Sequence, residues 1–343
     1  MRSLAGRAVL VVSLAAGLTL APGQGPYSAP APPGPAGAGG ADLRWADAPA
    51  DSFLAQIAAT SRFRRGRPTA ITLTPDGKSV LFLRSGPRSF VQDLYEYDVA
   101  GRQERVLLTA ESILRGTDER ITAEELARRE RQRETARGIA SFQLSRDGRR
   151  LLVPLSGRLF VIERATGAVR ELAGASGFPI DPRFSPDGAR IACVRDQDLY
   201  VTDLATGKEL RLTQGGGGNI SHGEAEFVAQ EEMGRYEGYW WSPDGATIAC
   251  QRTDVAGVEV LSISDPAHPE RPPQTWPYPR PGKKNAEVTL GLIPAEGGKT
   301  TWVTWDRERY PYLATVVWEE NAPLTILVQN RTQTEEVLLA VDT

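Results

Sequence analysis

Cysteine, histidine and methionine are scarce in this chain, each occurring twice in 343 residues. So few thiols and imidazoles exclude a disulfide-built scaffold and a Cys/His zinc site on counting alone. Charge of one sign is also missing: 40 Lys and Arg stand against 43 Asp and Glu, for a net charge of -3. That balance gives no support to a nucleic-acid binder, which would show a basic footprint. No metal or cofactor is suggested. Glycine (34) and proline (25) are plentiful, which points to a turn-rich fold, and an apolar content of 41% is enough for a core. The length allows about two ordinary domains or one large repeat fold.

No apolar run is long enough to span a bilayer comfortably. The longest near the start, residues 8–20, has 13 residues and follows Arg2 and Arg7. That length suits the core of a signal peptide over residues 1–21; an N-terminal membrane anchor is the other reading. Residues 22–41 are almost entirely Pro, Gly and Ala, a composition that reads as a linker unable to pack. The folded part is expected from Asp42 to Thr343, in an exported protein, periplasmic or secreted.

Four segments share one pattern of an apolar residue, a polar pair, Asp-Gly and a short apolar run. They open at Leu73, Leu144, Phe184 and Trp241, and their Asp residues are Asp76, Asp147, Asp187 and Asp244. Asp-Gly between apolar runs is a strong hairpin signal, because the turn needs a positive φ that these residues tolerate cheaply. Three of the four continue into a third strand and second turn, beginning at Asp93, Arg158 and Asp198, and then into a fourth strand. Four short antiparallel strands, repeated, are the signature of β-propeller blades. A β-sandwich would not repeat the same turn chemistry at the same place in each unit. Cys193 and Cys250 are repeat-equivalent, each eight positions after the Ser of its turn, and are expected to pack between blades rather than to form a disulfide.

The turn Asp residues are spaced by 71, 40 and 57 positions. If 40 is a bare blade, the first and third intervals carry insertions, and insertions on repeat scaffolds tend to do the binding work. In the first, Thr122 followed by Glu125 forms a capping box, and Gly138 is expected to cap the far end of a helix of about four turns. Arg128, Arg129, Arg131, Arg133 and Arg137 fall within it; a solvated charged helix is the bland alternative. In the second, Glu231 and Glu232 sit on a short helical stretch stopped near Gly234. Adjacent carboxylates repel unless a cation bridges them, and a primary ammonium with its three donors suits such a pair. An exposed acidic turn is the competing reading. His222, after a run of four glycines, and His268, in a Pro-rich stretch, read as loop histidines.

Gln230-Glu-Glu-Met-Gly-Arg-Tyr-Glu-Gly-Tyr-Trp-Trp-Ser-Pro-Asp-Gly resembles the double-glutamate segment of the dipeptidyl peptidase IV family, especially its bacterial and cytosolic mammalian branches. Arg129-Glu-Arg-Gln-Arg133 before Gly138-Ile-Ala-Ser141 resembles that family's arginine-bearing helix. Residues 278–285 and 330–334 also look like its propeller, so the resemblance covers roughly residues 53–343. It implies an N-terminal eight-bladed propeller, a C-terminal α/β-hydrolase domain with a Ser-Asp-His triad, and release of Xaa-Pro or Xaa-Ala dipeptides from peptides with a free N-terminus. It further implies that Glu231 and Glu232 bind the substrate ammonium, and that Arg133, or in competition Arg131, holds the substrate backbone. Family members are commonly homodimers. One departure stands out: Gly-x-Ser-x-Gly, the nucleophile elbow, occurs nowhere in the 343 residues.

The fold class expected is therefore all-β, an incomplete β-propeller of about five blades of an expected eight, with two helical insertions. The first functional reading is the N-terminal recognition propeller of an exported dipeptidyl peptidase whose hydrolase domain is absent from this chain. The second is a non-catalytic propeller module that binds peptide N-termini or partner proteins. The third is a generic propeller scaffold in which the glutamate pair is incidental.

Overall fold

The computed structural model describes residues 53–174 and 177–342. The signal-peptide and linker expectations, and the expected start of the folded part at Asp42, lie outside the described residues.

After a short exposed helix, α1 (Phe53–Ala59), the first blade is β1 (Thr69–Leu73), β2 (Ser79–Ser85), β3 (Val91–Asp98) and β4 (Gln103–Leu108). The first insertion follows: α2 (Ala110–Leu114), α3 (Ala123–Arg131) and β5 (Arg137–Gly138), which pairs in parallel with β3. The second blade is β6 (Gln143–Leu144), β7 (Arg150–Leu155), β8 (Arg158–Glu163) and β9 (Ala168–Leu172). The third is β10 (Ile180–Phe184), β11 (Arg190–Arg195), β12 (Asp198–Asp203) and β13 (Glu209–Arg211).

The fourth blade is more elaborate. It contains β14 (Ile220–His222), α4 (Phe227–Glu232), β15 (Tyr239–Trp241), β16 (Thr247–Asp254), β19 (Glu287–Pro294) and β20 (Thr301–Trp302). Between β16 and β19 the chain leaves the sheet as a separate hairpin, β17 (Val260–Ile263) and β18 (Gln274–Pro277). The fifth unit is β21 (Tyr312–Val317), β22 (Leu324–Gln329) and β23 (Glu336–Val341). The blade strands pair antiparallel, sequentially except in the fourth blade, where β14 and β15 both pair with β16 and β16 pairs with β19; among the described residues no strand pairing joins the first blade to the fifth. The fold is an incomplete β-propeller, as the repeats imply.

Period-two alternation explains the stacking, since successive side chains on a strand point to opposite faces. On β7, Leu151, Val153 and Leu155 pack on Leu81 and Leu94 of the first blade, while Leu152 joins Phe184 and Ile191 of the third. On β11, Cys193 faces back to that second-blade cluster, while Ala192 and Val194 pack with Ile248 and Cys250 of the fourth. Ala249 faces onward to Leu313 and Ile326. Both cysteines are buried and free, packed between blades.

The repeated turns share one hydrogen-bond pattern. Ser145, Ser185 and Ser242 donate to Oδ1 of Asp147, Asp187 and Asp244 at 2.6, 2.5 and 2.5 Å, and Thr74 does the same to Asp76 at 2.6 Å. Each Asp accepts a second bond from the backbone N–H two residues on. The following glycine takes a φ of 68 to 73°, a conformation that costs a residue with a Cβ.

Three expectations are corrected. The helix in the first insertion has nine residues rather than four turns: α3 ends at Arg131, with Gln132 as its C-cap in a right-handed conformation. Gly138 is not that cap. It lies in β5, where a Cβ would come within 2.9 Å of Ala110, Val91 and the Gln92 carbonyl. His222 is not a loop histidine either; it belongs to β14, is buried, and its Nδ1 lies 2.9 Å from Asp198 Oδ1. Pairing with β16 draws it in, something the glycine run before it does not reveal. His268 does sit in an exposed loop, beside Glu270.

Candidate functional site

The second insertion interrupts a strand. β14 and β15 both pair with β16, β14 against residues 252–254 and β15 against residues 248–250, so together they fill one strand position. The chain leaves the blade after His222, returns at Tyr239, and a bridge between Glu224 and Glu237 closes the base of the excursion. α4 rides on this excursion. Its N-cap, Glu226, makes no capping bond with its side chain. That carboxylate instead accepts from Arg235 Nη2 at 3.2 Å and from Gln251 Nε2 at 2.7 Å. Gly234, at a φ of 65°, turns the chain at the far end of α4 so that Arg235 can fold back beneath it. Arg235 also donates to the Leu313 carbonyl at 2.9 Å, which ties the insertion to the fifth blade. Burial pulls the Arg235 guanidinium below its ordinary pKa, and the opposing Glu226 offsets this only in part.

The first insertion supplies the other wall. Thr122 caps α3 by accepting from the Glu125 N–H, and among the described residues no hydrogen bond returns from the Glu125 side chain to Thr122. It pairs with Arg129 at 2.9 Å, and Arg129 also reaches Glu119 at 3.0 Å. Burial alone would weaken Arg129 as a base, yet these two carboxylates outweigh it and raise its pKa. Arg128 lies 3.7 Å from both Glu125 and Asp181, the latter on β10. Arg128 thus ties α3 to the third blade, and Arg129 ties it to the segment that precedes it.

Arg131 faces α4. Its Nε is 3.7 Å from Glu231 Oε1, its Nη1 donates to Gln230 Oε1 at 3.2 Å, and its guanidinium lies 5.6 Å from the Phe227 ring centroid. Tyr236 Oη donates to the Arg131 carbonyl at 3.2 Å, a second tie between the insertions. Arg133 stands two residues beyond α3 at a φ of 58°, exposed. Among the described residues no hydrogen bond or ion pair joins its side chain to Glu231 or Glu232. Glu231 and Glu232 are both exposed on the last turn of α4, and among the described residues no ion pair reaches Glu232. The structure thus brings Arg131 and Glu231 together, with Glu232 adjacent and Arg133 apart.

Beside α4 opens a cavity of about 480 Å³ between α3, α4, the β17–β18 hairpin and the start of β21. Arg131, Phe227, Gln230, Trp276 and Tyr312 are on its walls. Of these, Phe227, Trp276 and Tyr312 escaped the sequence reading. Phe227 carried a signal, since it stands four residues before Glu231 and therefore shares its face of α4. Trp276 carried none: only the excursion of the hairpin brings it near. Chemically, one glutamate partly neutralised by an arginine and one without such a partner leave the tip of α4 acidic and open to a cation with several N–H donors.

The fold is a propeller in which one interrupted strand carries an exposed carboxylate pair. The family described as the dipeptidyl peptidase IV N-terminal region matches residues 145–343, more than half of the chain, and the chain belongs to that family. Human dipeptidyl peptidase 8 is 32% identical over 139 residues, which cover 34% of this chain and 16% of that protein. A probable dipeptidyl peptidase 4 of Aspergillus flavus is 30% identical over 178 residues, 47% of this chain and 22% of that protein. The crystal structure of Porphyromonas gingivalis dipeptidyl peptidase 4 aligns with a TM-score of 0.63 at 22% identity, over 82% of this chain and 39% of that one, which establishes a shared fold. The chain thus spans well under half the length of these relatives.

Proposed function

We propose that this chain is the substrate-recognition propeller of an exported dipeptidyl peptidase, working with a C-terminal α/β-hydrolase domain on peptides with a free N-terminus. In this reading Glu231 and Glu232 hold the peptide's ammonium group, and Arg131 presents N–H donors to its backbone; Arg133 is the alternative donor. The pair then acts as a ruler, because an ammonium fixed at one distance from a nucleophile allows a set number of residues between them. Release of Xaa-Pro or Xaa-Ala dipeptides, serine-type chemistry, a signal peptide over residues 1–21, a linker over residues 22–41 and homodimer formation belong to the same proposal.

The observation that carries it is the exposed Glu231–Glu232 pair on a helix held by the buried Arg235–Glu226 contact, with Arg131 alongside. A side-chain pair held this way is positioned before any ligand arrives. The test is binding of a Pro-containing peptide, with its N-terminus free or acetylated, to the chain and to Glu231→Gln and Glu232→Gln. Each charge-assisted hydrogen bond contributes about 1.5–3 kcal/mol, so either substitution should weaken the free peptide about tenfold to hundredfold. The acetylated peptide should bind weakly to all three proteins. Equal binding of free and acetylated peptide would leave the ammonium reading without support.

A further inference from the structure

We infer that the cavity beside α4 docks a segment of this same chain, the proline-rich stretch Ala29-Pro-Ala-Pro-Pro-Gly-Pro35, laid against its aromatic walls as a polyproline helix. The cavity is separate from the carboxylate pair, since neither Glu231 nor Glu232 lines it. Its walls carry Phe227 from α4, Trp276 from the β17–β18 hairpin and Tyr312 from β21, with Pro277 and Pro279 beside them. The rings are held in place: Phe227 packs on Tyr278 at 4.9 Å between centroids, and Tyr312 Oη accepts from Asn285 Nδ2 at 2.8 Å. Proline-rich segments dock in aromatic-lined grooves of this kind, because their backbone is ordered before binding and little entropy is lost. A stretch unable to build a core of its own can still lie in such a groove. Docked there, it would brace α4, the helix that carries Glu231 and Glu232, against the hairpin.

Hydrogen bonding and charge point to the same occupant. Proline has no N–H, and a polyproline helix makes no internal hydrogen bonds, so its carbonyls need donors. Trp276 and Asn219 offer them from the cavity wall, and among the described residues no hydrogen bond leaves the side-chain N–H groups of either. The charged groups on the wall are already taken: Arg131 by Glu231 and Gln230, Glu226 by Arg235 and Gln251, and Arg128 by Glu125 and Asp181. Glu224 is engaged as well. A charged occupant would lose its water without gaining a free counter-charge, which is unfavourable. Residues 22–41 contain no Asp, Glu, Lys or Arg, and they carry two overlapping Pro-x-x-Pro patterns, Pro30 to Pro33 and Pro32 to Pro35. Reach is no obstacle. Pro35 stands 18 residues before Phe53. A chain of that length extends to about 60 Å, more than the roughly 50 Å that a fold of this size measures across.

The experiment is fluorine NMR of the full chain carrying fluorotryptophan, with the Trp276 line assigned by its loss in Trp276→Phe. A nitroxide on Ser28→Cys is the probe; Cys193 and Cys250 are buried and stay unlabelled. The nitroxide should broaden the Trp276 line, and its reduction by ascorbate should restore it. Replacing Pro30, Pro32, Pro33 and Pro35 together by Ala should abolish the broadening while leaving every blade residue in place. A peptide of residues 28–36 is then titrated into that variant, acetylated so that the carboxylate pair takes no part. A tether supplies an effective concentration of about 1 mM, so the peptide should shift the Trp276 line with a Kd at or below that value. A Trp276 line untouched by the nitroxide, or no saturable shift with the peptide, would overturn the inference and leave the ammonium reading intact. Broadening that arises only between a labelled chain and a separate fluorinated one would give the cavity to a second copy, which also overturns it.

Discussion

The Arg235 guanidinium donates to the backbone carbonyl of Leu313, 78 residues further along the chain, while also contacting the carboxylate of Glu226. One buried side chain thus joins both ends of the α4 excursion to the first strand of the next blade. Gln251 and Thr253 extend the network on the blade side: Gln251 Nε2 donates to Glu226 at 2.7 Å and to Thr253 Oγ1 at 2.9 Å. Glu231 and Glu232 are exposed, but the platform beneath them is not.

Arg235→Met should therefore destabilise the fold by about 3–5 kcal/mol, because it leaves Glu226 buried with only Gln251 for company and strips the Leu313 carbonyl of its donors. Adding Glu226→Gln should recover part of that loss, since the stranded charge is then gone while an acceptor for Gln251 remains. Urea denaturation of wild type, the single variant and the double variant measures both quantities. A single-variant cost below about 0.5 kcal/mol, the range of ordinary surface changes, would show that the network does not hold α4 in place.

The turns were legible in the sequence because everything that forms them is local. Ser or Thr, Asp and Gly within four residues supply the donor, the acceptor and the positive φ. The between-blade packing of Cys193 and Cys250 followed from the same repeat. What escaped depends on contacts remote in sequence. α3 stops at Arg131 although its charge pattern runs on to Arg137, because β5 must reach β3 and take residues 137 and 138 with it. The β17–β18 hairpin hid the third strand of the fourth blade, since β19 begins 33 residues after β16 ends. Among five arginines in one insertion, spacing alone did not separate the anchors Arg128 and Arg129 from Arg131; only the partners on β10, on α4 and before α3 do that.

Gly138 turns this point into a measurement. Its φ is 73°, and a Cβ there would sit 2.9 Å from Ala110 Cβ, Val91 Cγ1 and the Gln92 carbonyl. Gly167 has almost the same φ, 72°, with nothing within 4 Å of an added Cβ. Gly167→Ala should cost only the left-handed strain of about 1–2 kcal/mol. Gly138→Ala should cost that and a packing penalty of about 1–3 kcal/mol besides. The difference between the two urea midpoints, converted with a common slope, isolates the packing of β5 against β3 and α2. Equal costs would mean that this junction yields freely.

His222 gives the protein a pH dependence that can be signed in advance. Burial pushes its imidazole below the ordinary value of 6.5, and although Asp198, 2.9 Å away, pulls in the other direction, burial wins. Asp198 is not a free counter-ion, because it also accepts from Thr213 Oγ1 at 2.5 Å, from the Gly216 N–H at 2.9 Å and from Arg211. Arg252, on the neighbouring strand, adds a like charge that opposes protonation further. With the folded pKa below the unfolded one, the unfolded chain binds the extra proton first as pH falls. The stabilisation from a neutral His222 is therefore fully present above about pH 6.5 and is lost as pH drops through that value towards the folded pKa, below which no further loss accrues. His222→Gln should flatten the fall in melting temperature just below pH 6.5 and leave the steeper acid loss near pH 4 in place. That lower loss comes from carboxylates such as Asp198 and the turn residue Asp187; burial would raise both, but their hydrogen bonds outweigh it and hold them below their ordinary values. Melting temperatures of the two proteins between pH 4 and pH 8 decide the matter: curves that stay parallel through pH 6 would show that His222 takes up its proton alike in the folded and unfolded chains, the pairing with Asp198 cancelling the effect of burial.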